Sequence, residues 1–451
     1  MSLYYIRASF RLCFIVLYIV VLYYDFELKK ITIVVSTILS LCAISFLIYS
    51  NLVNFTVYAQ SYLQTIKHRD LVIDLGNGIK TNAQLTLPAI GKGPFPGILL
   101  VAGSGPIDMN ESTGPNAQMF FQIAEYLSQR GFAVLRYDKR GVGAAADGFT
   151  VLDSNIWGNA TFNDLKQDAE KALAILAQQP EVDLNRITII GHSEGTMIGP
   201  RVAIDSNNSN NTTATKVKNV VLMASVAQNL FDLVYFQKVK IPLLYAEKVL
   251  DHDHNGFISV SETIKDPVFN NMVGNFTLLL ETMNATKHQL NPNDNTNKDA
   301  YISINNDIKP KLEADLESAL VVRPGEKCPN ILACPIWLKS HQALEPTLSI
   351  IGNVSKSTGI LILQNENDTQ APLQQAFLLQ QRLVDVNHPD HTLITYPNLG
   401  HTFYPSSQWT TESGSIPEYV LADLYAWLES HSGFTHSAAS SSSHSSSIGE
   451  G

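Results

Sequence analysis

The chain has 451 residues, 45% of them hydrophobic, and a formal net charge of −10. That length accommodates one large domain with an insertion, or two ordinary domains, and the apolar content is ample for a core. The acidic balance and the lack of a basic cluster argue against a nucleic-acid partner.

Residues 1–56 differ in composition from the rest. "LCFIVLYIVVLYY" (12–24) is short for a membrane span. "ITIVVSTILSLCAISFLIYS" (31–50) has the roughly 20 apolar residues that a helix needs to cross a bilayer. The segment therefore predicts a membrane anchor of one or two transmembrane helices. A single span at 31–50 keeps Arg7, Arg11, Lys29 and Lys30 cytoplasmic and the rest of the chain outside, whereas two spans return it to the cytoplasm. Asn-x-Ser/Thr sequons from Asn54 to Asn353, and the closely spaced pair Cys328 and Cys334, favour the outside. The expected location is the cell membrane, with the main domain facing outward. The two cysteines suit a small disulfide loop, although two reduced thiols remain an alternative.

Beyond Arg69 the chain alternates between strand and helix signals. "LVIDL" and "AQLTLP" read as short strands, and "FPGILLVAG" as a strand buried on both faces. "QMFFQIAEYLSQRG" has helical spacing and a terminal glycine stop. "FAVLRYD", the helix "FNDLKQDAEKALAILAQQ", and the strands "RITIIGHS" and "VKNVVLMAS" continue the pattern. Such a β-α-β order implies a parallel sheet with right-handed crossovers. The rhythm stops near Asn229 and resumes at "GILILQNEND", followed by "LQQAFLLQQRL", "HTLITYP" and "PEYVLADLYAWLES". The predicted organisation is an anchor (1–56), a first core part (57–228), an inserted and mainly helical cap (229–340), a second core part (341–432) and a disordered Ser-rich tail (433–451).

Within this layout, "GHSEG" places Ser193 where a buried strand meets a helix, the context of a nucleophile elbow. A serine hydroxyl needs a base to take its proton, and the base needs an orienting acid. In this architecture the three follow in the order Ser, Asp/Glu, His. Asp368 ends the strand "LILQNEND" and His401 follows the strand "LITYP", so both stand where the order requires them. Glu366 is the competing acid.

This constellation resembles the α/β-hydrolase superfamily over residues 70–245 and 336–430. "VAGSGPIDMNE" and "RYDKRGVG" are similar to loops of microbial serine esterases. The resemblance implies a mostly parallel α/β-hydrolase sheet with helices on both faces. It also implies an oxyanion hole formed by the backbone N–H groups of Ser104 and Glu194. Where many members have histidine before the loop glycine, this chain has Ala102. The implied chemistry is acyl transfer from a small-molecule or lipid ester to water, with no catalytic cofactor.

The insertion contains "DHDHNGFISVSE" (251–262), which closely resembles an EF-hand loop. Calcium takes six to eight oxygen ligands. Asp251, Asp253 and Asn255 fill positions 1, 3 and 5, and Gly256 permits the bend at 6. The Phe257 carbonyl, Ser259 and Glu262 serve at 7, 9 and 12. A structural Ca2+ is expected here, with helices in "PLLYAEKVL" and "SVSETIKD". The leading function is therefore a membrane-anchored serine carboxylesterase. A peptidase or acyltransferase on the same triad and a calcium-dependent scaffold with an inactive core are the alternatives. Oligomeric state is left open.

Overall fold

The computed structural model describes residues 65–433, apart from 115–116, 146–147, 209–214, 284–299, 322–333, 408 and 410–411. The anchor expected over 1–56, the tail after Gly433 and Cys328 lie outside the described residues. Among the described residues no helix is long and apolar enough to cross a membrane. The described residues from Lys67 onward belong to one compact unit, which holds nearly all of the architecture below.

Eight strands form the central sheet: β1 (Ile66–Gly76), β2 (Ile79–Pro88), β3 (Phe95–Val101), β4 (Ala133–Tyr137), β5 (Val182–His192), β6 (Val217–Met223), β7 (Gly359–Asn365) and β8 (His391–Tyr396). Their order is β1-β2-β4-β3-β5-β6-β7-β8. From β4 to β8 all neighbours are parallel, while β2 joins β4 antiparallel. Parallel strands covered on both faces must be apolar on both, and β7 is buried at every position. This is why the central strands read as continuous hydrophobic runs.

The principal helices are α1 (Met119–Ser128), α2 (Phe162–Ala177), α3 (Gly195–Asn208), α4 (Lys309–Ala319), α5 (Pro335–Gln342), α6 (Leu373–Asp385) and α7 (Glu418–His431). On one face of the sheet, Leu165 and Leu173 of α2, Val202 of α3 and Leu379 of α6 pack against strand residues such as Ile189 and Ile362. Phe120 and Ile123 of α1 and Leu424 and Trp427 of α7 cover the other face. Thr161 and Asp164 make a reciprocal capping box that starts α2.

The insertion leaves the sheet after β6. A helical run spans residues 230–250, and α4 and α5 lie further along. Val239, Tyr245, Phe269, Phe276, Ile304 and Leu312 form a core of their own. Two features depart from the sequence reading. Phe257–Ser259 pairs antiparallel with Tyr301–Ser303, adding a small sheet to the mainly helical cap. The helix expected in "SVSETIKD" is a single turn, Val260–Thr263, because Asp266 caps a new helix at Pro267.

Candidate active site

Ser193 sits between β5 and α3 with φ 51°, in the left-handed region where a non-glycine residue is strained. Its N–H donates to the Met223 carbonyl at 3.0 Å, extending the β5–β6 pairing into the turn. The flanking glycines are there because backbone approaches backbone. A Cβ at Gly191 would lie 2.2 Å from the Gly195 carbonyl oxygen, and one at Gly195 would lie 2.0 Å from that of Val101. The G-x-S-x-G pattern is thus a packing requirement of this turn.

Asp368 follows β7, and its Oδ1 accepts the Gln370 and Ala371 N–H groups, each at 2.8 Å. His401 follows β8 and directs Nδ1 to both carboxylate oxygens of Asp368, at 2.9 and 3.0 Å. Both residues are buried. Because the carboxylate accepts, Nδ1 carries a proton, and Nε2 is the ring nitrogen able to act as base. The His401 ring centroid is 4.7 Å from that of His192, the residue before the serine, so the two loops meet at the elbow. Ser193 Oγ makes no hydrogen bond to His401 among the described residues, a contact that in ligand-free sites often forms only with substrate. Glu366, the competing acid, is exposed and lies 3.4 Å from the Thr395 hydroxyl. Asp368 is the partner of His401.

Ser104 and Glu194 stand on the two loops that meet the serine. A Cβ on Gly103 would lie 3.2 Å from the Ser193 Cβ, which sets the Gly103–Ser104 peptide against the elbow. Neither the Ser104 nor the Glu194 N–H donates to a protein acceptor among the described residues. Ala102, where a histidine was the family expectation, is buried.

Around these groups lie buried charges that the sequence did not single out. Glu194 pairs with Lys139 at 2.6 Å, accepts the Trp337 indole N–H at 2.7 Å and lies 2.8 Å from His341 Nε2. Burial by itself would raise its carboxyl, but Lys139 and His341 outweigh that and hold it at about 2. His192 Nδ1 meets Glu111 at 2.7 Å and Nε2 meets the His401 carbonyl at 3.0 Å. Burial would lower its pKa, yet the Glu111 carboxylate raises it overall. Arg140 holds Asp168 through two bonds of 2.7 Å, tying the "DKRG" turn to α2. Glu412 accepts the backbone N–H groups of His401 and Thr402 at 2.5 and 2.6 Å, fixing the histidine loop.

In the 251–262 loop the donors are all oxygen, the type a hard cation takes. Gly256 makes the bend with φ 84°. Asp251 accepts the Asn255 and Gly256 N–H groups at 3.0 and 2.9 Å, and Asn255 bridges the Asp253 carboxylate and the Phe257 N–H. Ser259 Oγ caps Glu262 N–H at 3.1 Å, and the Glu262 side chain is exposed. Among the described residues no three His, Cys, Asp or Glu side chains are gathered into a metal-holding group. The backbone bend and donor chemistry suit calcium, whereas the twelfth-position carboxylate is not drawn in. Cys334 is disulfide-bonded.

The family described as serine aminopeptidase, S33, matches residues 113–230, which include the elbow. Esterase EstD of Thermotoga maritima is 33% identical over 171 residues, 38% of this chain and 35% of the esterase. The match therefore spans about a third of that esterase's length. Among solved structures, an α/β hydrolase, GrgF, from Penicillium sp. sh18 is 15% identical with a TM-score of 0.43, covering 82% of this chain and all (100%) of that one. A thermophilic esterase from Thermogutta terrifontis is 12% identical with a TM-score of 0.41, covering 80% and 99%. The parallel sheet, the strand–serine–helix elbow and the matched hydrolase family support the α/β-hydrolase superfamily as the home of this chain.

Proposed function

We propose that the protein is a serine hydrolase that cleaves carboxylic esters through Ser193, His401 and Asp368. The observation that carries this reading is the two-oxygen contact of Asp368 with His401 Nδ1, beside a serine held at φ 51°. In the proposed cycle His401 Nε2 takes the Ser193 proton as Oγ attacks the ester carbonyl. The oxyanion is met by the N–H groups of Ser104 and Glu194. His401 then gives its proton to the leaving alcohol and, as base, activates the water that frees the acid. Asp368 holds the imidazole tautomer throughout.

Small-molecule or lipid esters are the proposed substrates. The matched family's description, serine aminopeptidase, favours peptides as the second substrate class. Faster turnover of aminoacyl amides than of aryl esters by the purified protein would select it. We further propose that residues 1–56 anchor the enzyme in the cell membrane with the hydrolase domain outside, and that the 251–262 loop takes a structural calcium ion.

A membrane-impermeant fluorophosphonate applied to intact cells tests site and placement together. The expected result is a labelled band that stays with carbonate-washed membranes and is lost in Ser193→Ala. Labelling that persists in Ser193→Ala removes the nucleophile, and labelling that appears only after lysis removes the outward orientation.

A further inference from the structure

The Glu194 side chain has no part in the cycle above, yet it is deeply buried beside the nucleophile, 3% exposed. Its ion-pair partner Lys139, on the turn after β4, is 5% exposed. A buried ion pair is a poor source of stability, because loss of hydration offsets the attraction. A pair retained at this position invites a geometric explanation.

Lys139 Nζ supplies one. Besides Glu194 Oε2 at 2.6 Å, it donates to the carbonyl oxygen of Gly103. That carbonyl belongs to the peptide whose other half is the Ser104 N–H. In a planar trans peptide the C=O and N–H point in opposite directions. Holding the carbonyl on Lys139 therefore aims the Ser104 N–H away from the lysine, and Ser104 is the exposed residue of this loop. The preceding peptide is held as well, since the Gly103 N–H donates to Glu111 Oε1 at 2.8 Å. Donation from an ammonium to the carbonyl also polarises the amide, making its N–H a stronger donor. Glu194 thus offers one backbone N–H to the hole and, through its side chain, anchors the lysine that orients the other.

We propose that Lys139 and Glu194 are a positioning pair that fixes the Ser104 and Glu194 N–H groups relative to one another as a single oxyanion hole. Trp337 and His341 of α5 close the remaining side of the Glu194 carboxylate, so the end of the insertion helps to hold this geometry. The inference rests on the serine-hydrolase reading.

The test separates positioning from folding. Lys139→Met alone leaves the buried Glu194 carboxylate without its lysine, held only by Trp337 and His341, and lowers stability. Lys139→Met/Glu194→Gln removes both charges and is expected to return the Tm close to that of wild type. In that double variant kcat for an aryl ester and the rate of fluorophosphonate reaction are expected to fall about 100-fold, the size of effect seen when one oxyanion donor is lost. KM should change little, and affinity for a boronic acid, which mimics the tetrahedral oxyanion, should fall with kcat. Glu194→Gln alone keeps an amide oxygen for Lys139 and should lose only a few-fold. Wild-type kcat in the double variant overturns the proposal, as does a loss in Glu194→Gln as large as in the double variant. A wild-type protein that does not react with the fluorophosphonate overturns both the pair and the hydrolase reading. A reactive wild type with an equally reactive double variant overturns the pair alone.

Discussion

A carboxylate can orient a histidine only if its own oxygens are held still. Asp368 is held by two backbone N–H groups, with the Gln364 amide 3.3 Å from its other oxygen. Asp368→Asn places an amide where Nδ1–H must donate and favours the wrong tautomer. The expected loss in kcat is about 10⁴-fold, as for the same change in a serine protease. Glu366→Gln should leave the rate within a factor of about two, and steady-state rates of the two variants would expose a misassigned acid. The Asp368–His401 contact, part of the proposed triad, was foreshadowed in the sequence because each of the two residues follows a strand in the order expected after Ser193. Lys139 and Glu111 were not. A charged side chain is read by default as solvated, and only the arrangement of β3, β4 and β5 turns these two inward. The expected role of its backbone N–H gave Glu194 a place in the sequence reading, but nothing there indicated that its carboxylate is buried.

At the scale of elements, the turn from β5 into α3 is set by contact between main chains. Gly195→Ala puts a methyl 2.0 Å from the Val101 carbonyl oxygen, closer than any side-chain adjustment can relieve. The expected outcome is loss of soluble folded protein. Gly199→Ala, one turn further along α3, meets the Ile189 side chain at 3.2 Å. Side chains there can shift, so a change of about 1 kcal/mol is expected, read from thermal melts of both variants. The parallel strands were visible in the sequence because burial on both faces enforces apolar runs. The pairing of Phe257–Ser259 with Tyr301–Ser303 was not, since three-residue strands carry too little alternation to register.

For the whole molecule, the insertion is the part with a separate core, and the proposed calcium ion would act on it. Binding only to the folded form stabilises by RT ln(1 + [L]/Kd), about 2.7 kcal/mol at a hundredfold excess over Kd. The Tm of metal-stripped protein should rise with added calcium, and the rise should vanish in Glu262→Gln. A melt indifferent to calcium and chelator would make the loop a solvated turn. The same insertion also sets a schedule for biosynthesis. It separates Met223, the end of β6, from Gly359, the start of β7. At ~5–20 residues per second, synthesis of the intervening chain occupies on the order of ten seconds. During that interval the outer side of β6 is an unpaired edge, a template for wrong pairing. Ser193 is synthesised before that interval, whereas Asp368 and His401, its proposed partners, are synthesised after it. On the proposed mechanism the nascent chain therefore carries its nucleophile without base or acid until the last two strands have been made and have docked.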